Sequence, residues 1–184
     1  MAKDHESSED PTDLELIARW RAGDERAATT LVERHAPALA RFAASLGQGS
    51  DVEEVVQDTF VRAFGSIDSF RADSSLRTWL FTIERRLILD RRRSDRRRRD
   101  DASVDENHIA TEFDALDGLV AEEAEARVRR AVDRLSRMQR EVFLLRVNEG
   151  LSYKEIADVV GSTEGAARVH YHNAMRAVKE SLYV

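Results

Sequence analysis

Apolar residues recur along most of the chain at the three- and four-residue spacing of an amphipathic helix, and no segment alternates convincingly with the two-residue period of a strand. In the first hundred residues this pattern predicts four helices. Asp13, Asp24 and Asp51 are placed to cap the first three, and the fourth begins at about Ser75. Pro37 lies inside the second predicted helix, where its missing N–H should bend or locally break the helix.

Helical periodicity returns after about residue 119 and predicts four further helices. They span residues 120–135, 138–149, 152–159 and 163–182. The segment before them lacks sustained periodicity and is strongly acidic, so we expect a flexible linker that its own charge repulsion extends. The predicted fold class is all-α, with two small helical domains over residues 12–99 and 122–184 joined by an acidic linker over residues 100–121.

Composition limits the classes of function. The chain has 184 residues, 42% of them hydrophobic, and no cysteine. This leaves enough apolar material for two cores but excludes a disulfide framework, a cysteine-based zinc site and a thiol nucleophile. No segment approaches the roughly 18 apolar residues of a membrane span, and the N-terminal segment lacks the apolar run of a secretory signal. We therefore expect a cytoplasmic protein without direct membrane insertion.

No sequence motif indicates catalysis, a cofactor or a metal. The chain has no nucleophile–base set, no HExxH and no Gly-rich phosphate loop, so an enzyme is not expected. His170 and His172 are two positions apart and face different sides of a helix, which disfavours a metal site. The other histidines, His5, His35 and His108, are expected at the surface or at domain edges.

The net charge of −6 conceals a strongly uneven distribution. Residues 84–99 hold nine arginines and three acidic residues, whereas residues 100–126 hold ten acidic residues and neither lysine nor arginine. Because so many adjacent arginines repel one another, a polyanion is the favoured partner of the basic segment. Local potential, rather than the overall acidity, therefore leaves nucleic-acid binding open.

The second predicted domain contains a helix-turn-helix pattern. Ser152 and Glu155 have the spacing of a capping box, Gly161 can end that helix, and a second helix follows from about Thr163. Two helices joined by a short turn with glycine are typical of the motif whose second helix enters the DNA major groove. An ordinary helical hairpin with a polar surface is the alternative. The solvent-facing candidates for base contacts are Arg168, His172, Asn173 and Arg176.

Residues 70–93 mix aromatic side chains with arginine on one predicted loop and helix. Opened DNA needs such a mixture, because flipped bases require an apolar pocket and the backbone requires cations. The alternative is that the apolar side chains are all core and that the arginine run is a solvated helix end. Those apolar side chains include Phe70, Trp79, Phe81 and Ile83.

These motifs carry a family resemblance. The segments DVEEVVQDTFVRAF and SFRADSSLRTWLFTIERRLILDRRR resemble the promoter-melting domain of bacterial sigma factors of the sigma-70 family. The segment RLSRMQREVFLLRVNEGLSYKEIADVVGSTEGAARVHYHNAMRAVKE resembles their C-terminal promoter-binding domain. Order, spacing and size match the two-domain extracytoplasmic-function (ECF) group over residues 12–99 and 122–182.

The resemblance implies a transcription initiation factor that binds core RNA polymerase, recognises −35 and −10 promoter elements and assists melting of the latter. The residues that match the polymerase-docking helix are Asp51, Glu53, Glu54, Gln57, Asp58 and Phe60. Those that match the −10 binding surface are Phe70, Asp73, Ser74, Arg77, Trp79, Phe81, Ile83, Arg85, Arg86, Arg91 and Arg92. Those that match the −35 reading helix are Thr163, Arg168, Val169, His172, Asn173 and Arg176.

The chain departs from the family pattern at several positions. Ala72 stands where the family usually has glycine, and Arg86 where it usually has asparagine, which bears on the identity of the flipped −10 base. His170, Asn173 and Met175 occupy positions of the reading helix that are often basic. Fewer phosphate cations predict a weaker intrinsic −35 affinity and greater dependence on polymerase for DNA binding.

The resemblance also implies partners. It predicts an anti-sigma factor as an inhibitor and a monomeric state on polymerase. A free-standing helix-turn-helix regulator that binds duplex DNA without polymerase remains an alternative, although no heptad seam for dimerisation is evident. A second alternative is an adaptor that imitates a sigma factor without supporting transcription.

Overall fold

The computed structural model describes residues 10–100 and 119–182, in which every regular element is helical. The helices are α1 Asp13–Arg21, α2 Glu25–Ser45, α3 Val52–Gly65, α4 Leu76–Asp100, α5 Leu119–Asp133, α6 Arg137–Val147, α7 Tyr153–Val160 and α8 Glu164–Leu182. Short 3-10 turns at Gly49–Asp51 and Ile67–Ser69 precede α3 and follow it. The all-α prediction is confirmed, whereas most of the predicted linker, with His5 and His108, lies outside the described residues.

The chain separates between Pro37 and Ala38 into two compact units. The separation falls inside α2, which nevertheless continues as one helix from Glu25 to Ser45. A local break of α2 at Pro37 is therefore not observed, although proline removes one hydrogen bond of the helical ladder.

In the first unit, α1 begins with a capping box one residue before the position that the sequence predicts. The N-cap is Thr12, whose side chain accepts the backbone N–H of Glu15, while the Glu15 carboxylate accepts the Thr12 N–H. Asp13 instead accepts Arg34 at 2.8 Å and lies 2.9 Å from His35. His35 is 6% exposed, so its expected surface position is wrong: the Asp13 carboxylate supplies the partner that burial requires.

From Ala38 onward, the C-terminal part of α2 packs against α4, and α3 packs against α4 as well. Phe42 and Phe81 meet edge to face with ring centroids 5.3 Å apart, and both are essentially buried. The Asp51 side chain makes no capping hydrogen bond to α3, because the 3-10 turn brings it to the helix start in a different conformation. Its neighbour on α3, Glu54, bonds to Arg91 of α4 instead.

The helices after the linker enclose a second apolar cluster. It comprises Ala131, Leu135, Phe143, Leu144, Ala174 and Val178, contributed by α5, α6, α8 and the turn after α5. The α7 helix buries Ile156 and Val160 on its inner side. None of the helices that the structure describes is long and apolar enough to cross a membrane.

Candidate nucleic-acid and polymerase interfaces

The helix-turn-helix forms as predicted. Ser152 and Glu155 complete the capping box of α7, and Gly161 ends the helix in the left-handed region at φ 69°. Thr163 then begins α8, since its hydroxyl oxygen accepts the backbone N–H of Ala166 at 3.2 Å. A short turn with a glycine C-cap and a threonine N-cap therefore determines where α7 ends and α8 begins.

The predicted reading face of α8 is open to solvent. Arg168, Val169, His172 and Arg176 are exposed, Val169 at 57%, while Asn173 is half-buried. Arg168 bonds to Glu164 one turn earlier at 2.9 Å, and Arg176 bonds to Asn173 at 3.3 Å. Such exposed pairs contribute little stability, typically below about 1 kcal/mol, so DNA can displace them.

The predicted docking helix α3 presents an acidic face. Asp51, Glu53, Glu54 and Gln57 are exposed and Asp58 is half-buried. Phe60 differs: it is 6% exposed and stacks on Phe64 with centroids 6.0 Å apart, so in this structure it packs inside the fold. Exposed carboxylates one helical turn apart suit a basic partner helix.

One arginine joins that acidic face to α4. Arg91 donates to Glu54 at 2.8 Å and to Asp58 at 2.7 Å through the same nitrogen, Nη2. Burial alone would lower the pKa of Arg91, but the two carboxylates raise it. A residue predicted to contact DNA thus holds two residues predicted to contact polymerase.

The loop before α4 contains a strained turn. Ala72 has φ 59° and is the one non-glycine residue with a positive φ in the part of the chain that the structure describes. Glycine takes this conformation without the Cβ clash, which accounts for the glycine preference noted above. Asp73 is exposed and Ser74 half-buried on the same turn.

The aromatic residues of this region divide into two groups. Phe70 and Trp79 are half-buried and lie against each other, with ring centroids 5.2 Å apart. Phe81 is 0% exposed and packs on Phe42. Its predicted place in a base pocket does not agree with this structure, because the α4 stripe that carries Phe81 faces the core. Ile83 is half-buried and Arg86 exposed.

Three other predicted DNA-contacting arginines of α4 already have partners. Arg77 pairs with Glu149, which also accepts Arg41 through two bonds of 3.2 Å. Arg85 donates from Nε to Glu141 at 2.7 Å, with side chains 11% and 1% exposed. Arg92 donates to the backbone carbonyl of Leu46, the residue that follows α2. Carboxylates from the helix-turn-helix half of the chain therefore occupy part of the predicted −10 surface.

A hydrogen bond also joins α4 to the N-terminus of α7. The Thr78 hydroxyl donates to Glu155 at 3.2 Å, while the other Glu155 oxygen caps α7 through Ser152. Burial opposes ionisation of Glu155, yet the hydrogen bonds from Ser152 and Thr78 lower its pKa. One carboxylate thus serves the helix cap and the contact with α4.

Sequence reasoning missed the buried carboxylates. Glu84 is 0% exposed, and neither of its carboxylate oxygens has a hydrogen-bond partner among the described residues. Burial, reinforced by the negative charge of Glu149, raises the pKa of Glu84 to about 9. A signal was present, because Glu84 follows Leu76 and Leu80 at four-residue intervals on the apolar stripe of α4.

The chain is similar to known families and proteins over both helical halves. The family model described as Sigma-70 region 2 matches residues 31–98, and that described as Sigma-70, region 4 matches residues 125–178. The ECF RNA polymerase sigma-E factor of Escherichia coli strain K12 is 31% identical over 181 residues, covering 93% of this chain and 94% of that protein. The ECF RNA polymerase sigma factor EcfG of Rhodopseudomonas palustris is 34% identical over 149 residues, covering 80% and 81%.

Solved structures agree. The sigma factor RpoE from Bartonella quintana, in complex with the anti-sigma factor NepR, is similar at a TM-score of 0.72 and 30% identity, covering 85% of this chain and 96% of that chain. CnrH, in complex with the cytosolic domain of CnrY, is similar at 0.66 and 33%, covering 92% and 96%. The chain therefore belongs to the sigma-70 family, in its ECF group, and is an RNA polymerase sigma factor that directs promoter-specific transcription.

Proposed function

We propose that this sigma factor divides its work among three surfaces. The acidic face of α3 docks on core polymerase, the exposed face of α8 reads the −35 element, and the loop before α4 together with α4 binds the displaced −10 strand. The observation that carries the proposal is the α7–α8 motif, whose turn, caps and exposed arginines present α8 as a major-groove reading helix. Because sigma factors are not enzymes, the role of the protein is to recruit RNA polymerase to promoters.

The side chains on the two DNA-binding surfaces suit different parts of the promoter. Exposed Arg168 and Arg176 suit guanine edges or phosphates, and Asn173 suits adenine. On the −10 side, Phe70 and Trp79 offer a partly exposed aromatic surface for an unstacked base. We propose two promoter-reading domains over residues 12–99 and 122–184, acting as a monomer on polymerase in the cytoplasm.

An anti-sigma partner is also proposed. The structurally similar Bartonella quintana factor is bound to one in its solved complex. An inhibitor of this chain would have to cover the α3 face or a DNA-binding face. Pull-down with the purified protein, with the α3 surface charge-reversed as a control, tests which face it uses.

Transcription in vitro tests the proposed function. Core polymerase from the source bacterium is incubated with a genomic fragment library, with and without the protein. We expect discrete new transcripts whose upstream sequences align into −35 and −10 elements. Specific duplex binding without any association with core polymerase would instead support a free-standing regulator, and tight core binding without transcripts would support an antagonist.

A pair of arginine variants tests the reading helix. Arg168→Ala should lower promoter affinity of the polymerase complex by about 10- to 100-fold, since a lost bidentate base contact costs about 1–3 kcal/mol. Arg130→Ala, which removes an exposed cation from α5, serves as the control. Equal losses for both variants would contradict the assignment of α8.

A further inference from the structure

Two arginines lie over the ring of Tyr153, the first residue of α7, which is half-buried. The guanidinium carbon of Arg168, on the proposed reading face of α8, is 5.2 Å from the ring centroid, and that of Arg146 on α6 is 4.9 Å from it. Both distances are within the roughly 6 Å over which the negative face of an aromatic ring attracts a cation. Tyr153, which is not among the predicted −35 residues, thus contacts one of them.

The position of the Tyr153 ring is fixed by the core of the same half. The ring meets Tyr171 of α8 edge to face with centroids 5.8 Å apart, and Tyr171 stacks on Phe143 of α6 at 6.3 Å. Phe143 belongs to the second apolar cluster. Arg146 is itself fixed, because its Nη1 donates to the backbone carbonyl of Leu151 at 2.7 Å. The ring is therefore a rigid support for a cation on the surface.

Arg168 has two restraining contacts. The ring of Tyr153 attracts its guanidinium, and Glu164 accepts a hydrogen bond from its Nη2 at 2.9 Å. The Arg168 side chain is nevertheless 55% exposed, so DNA can reach it. Because the ring attracts the charge rather than accepting one particular N–H, this contact leaves the N–H donors free for a base edge. An arginine that is already ordered also avoids the entropy cost of fixing its rotamers on binding.

Resting on the proposed function, we propose that Tyr153 is a positioning residue for −35 reading, whose ring holds the Arg168 guanidinium in the orientation in which it meets a base edge. Tyr153 acts through its ring and not through its hydroxyl. The consequence is discrimination at one base pair, since a forked contact with guanine requires a fixed guanidinium plane. General attraction to DNA, which depends on the number of cations, is unaffected.

Promoter binding by the complex of core polymerase and this protein tests the proposal. The probe is a promoter fragment obtained from in vitro transcription, with a set of fragments that each carry one substituted −35 base pair. Arg168→Ala first identifies the base pair that Arg168 reads, as the position where discrimination is lost. Tyr153→Leu should reduce discrimination at that base pair by about two- to fivefold and leave the other −35 positions unchanged, including any that respond to Arg176→Ala. The slope of affinity against salt should also stay the same.

Tyr153→Phe is the matched control, because it keeps the ring and removes only the hydroxyl, and it should retain full discrimination. Equal losses at every −35 position for Tyr153→Leu would indicate a general structural role and overturn the proposal. Losses as large for Tyr153→Phe would indicate a phosphate contact of the hydroxyl and overturn it as well. Adding Tyr153→Leu to Arg168→Ala should cause no further loss of discrimination, since the ring acts only through Arg168.

A fluorinated series guards against misfolding. The Tyr153→Phe variant is made with one, two or three fluorine atoms on the new ring. Each fluorine withdraws electron density from the ring face and weakens its attraction for a cation, while the shape of the ring is nearly kept. Discrimination at the base pair read by Arg168 should fall stepwise, with unchanged circular dichroism spectra. The absence of this trend in folded variants would overturn the proposal.

A measurement without DNA separates this inference from the proposed function. NMR relaxation of the Arg168 Nε–H group in the free protein reports how far the guanidinium moves. Motion should be greater in Tyr153→Leu than in the unmodified protein and in Tyr153→Phe, and equal motion would overturn the positioning role alone. If the motion changes as expected but Arg168→Ala affects no single base pair, the proposed reading role of Arg168 fails and this inference fails with it.

Discussion

The two proposed DNA-binding surfaces of this sigma factor differ in how far their side chains are exposed and already paired. On α8 the candidate arginines are exposed: Arg168 bonds to Glu164 of the same helix, and its guanidinium lies over the Tyr153 ring of α7, 5.2 Å from the ring centroid. On α4, Arg77, Arg85 and Arg91 pair with carboxylates distant in sequence, and Phe81 lies inside the core. A basic residue in a DNA-binding motif is therefore available for DNA only where tertiary packing leaves it so.

The difference follows from helix geometry. The α8 helix buries a narrow stripe of Ala167, Ala174 and Val178 and leaves most of its circumference exposed. The α4 helix buries Leu80, Phe81 and Glu84, and also Thr78 on an adjoining strip. A helix that is covered on two sides has little surface left for a ligand.

The largest expected difference in unfolding free energy is between an alanine truncation on α4 and one on α8. Phe81→Ala should lower the free energy of unfolding by about 3–5 kcal/mol, since it leaves a cavity against Phe42. Val169→Ala on α8 should change it by less than about 0.5 kcal/mol, because that side chain is 57% exposed. Urea denaturation measures both, and a Phe81 effect as small as that of Val169 would contradict the core assignment.

The buried acid of α4 should produce a pH dependence that α8 lacks. Glu84 has its pKa raised from 4.5 to about 9, so the folded chain holds a proton that the unfolded chain releases between these values. Its contribution is complete below pH 4.5, and unfolding free energy falls by roughly 1.4 kcal/mol per pH unit as pH rises towards 9.

Denaturation at several pH values tests this. Glu84→Gln should remove this decline of the unfolding free energy between about pH 6 and 8, a change in slope of roughly 1.4 kcal/mol per pH unit. Asp158→Asn, which removes an exposed carboxylate from α7, is the matched control and should retain the decline. A slope in Glu84→Gln equal to that of the unmodified chain would show that Glu84 ionises normally.

Two turns with a positive φ, one before α4 and one before α8, provide a smaller comparison. Ala72 at φ 59° precedes α4, and Gly161 at φ 69° precedes α8. Ala72→Gly should stabilise the chain by about 1 kcal/mol, because an L side chain strains this conformation. Gly161→Ala should destabilise it by a similar amount, although an added Cβ meets no atom within 4 Å.

Thermal unfolding measures both variants. Opposite signs would identify backbone conformation as the cause, since the two changes are chemically inverse. Equal signs would contradict the strained turn at Ala72. Transcription from a promoter identified in vitro then reports whether Ala72→Gly, by giving the turn more conformational freedom, alters −10 recognition.

Local sequence patterns predicted the helices and the helix-turn-helix well. Ser152, Glu155 and Gly161 occupy the cap positions expected from their spacing, because capping depends on residues within one turn of each other. The prediction was less accurate where a distant partner competes. Asp13 bonds to Arg34 and His35 rather than capping α1.

The sequence by itself determined the all-helical class, the helix-turn-helix and the family, since periodicity, caps and ordered motifs are all local properties of the chain. Only the tertiary structure decided which face of α4 is buried, that Phe81 belongs to the core, and that Arg85 meets Glu141. The physical reason is that a helix period specifies which residues share a face but not what covers it. That covering depends on contacts between residues far apart in the chain.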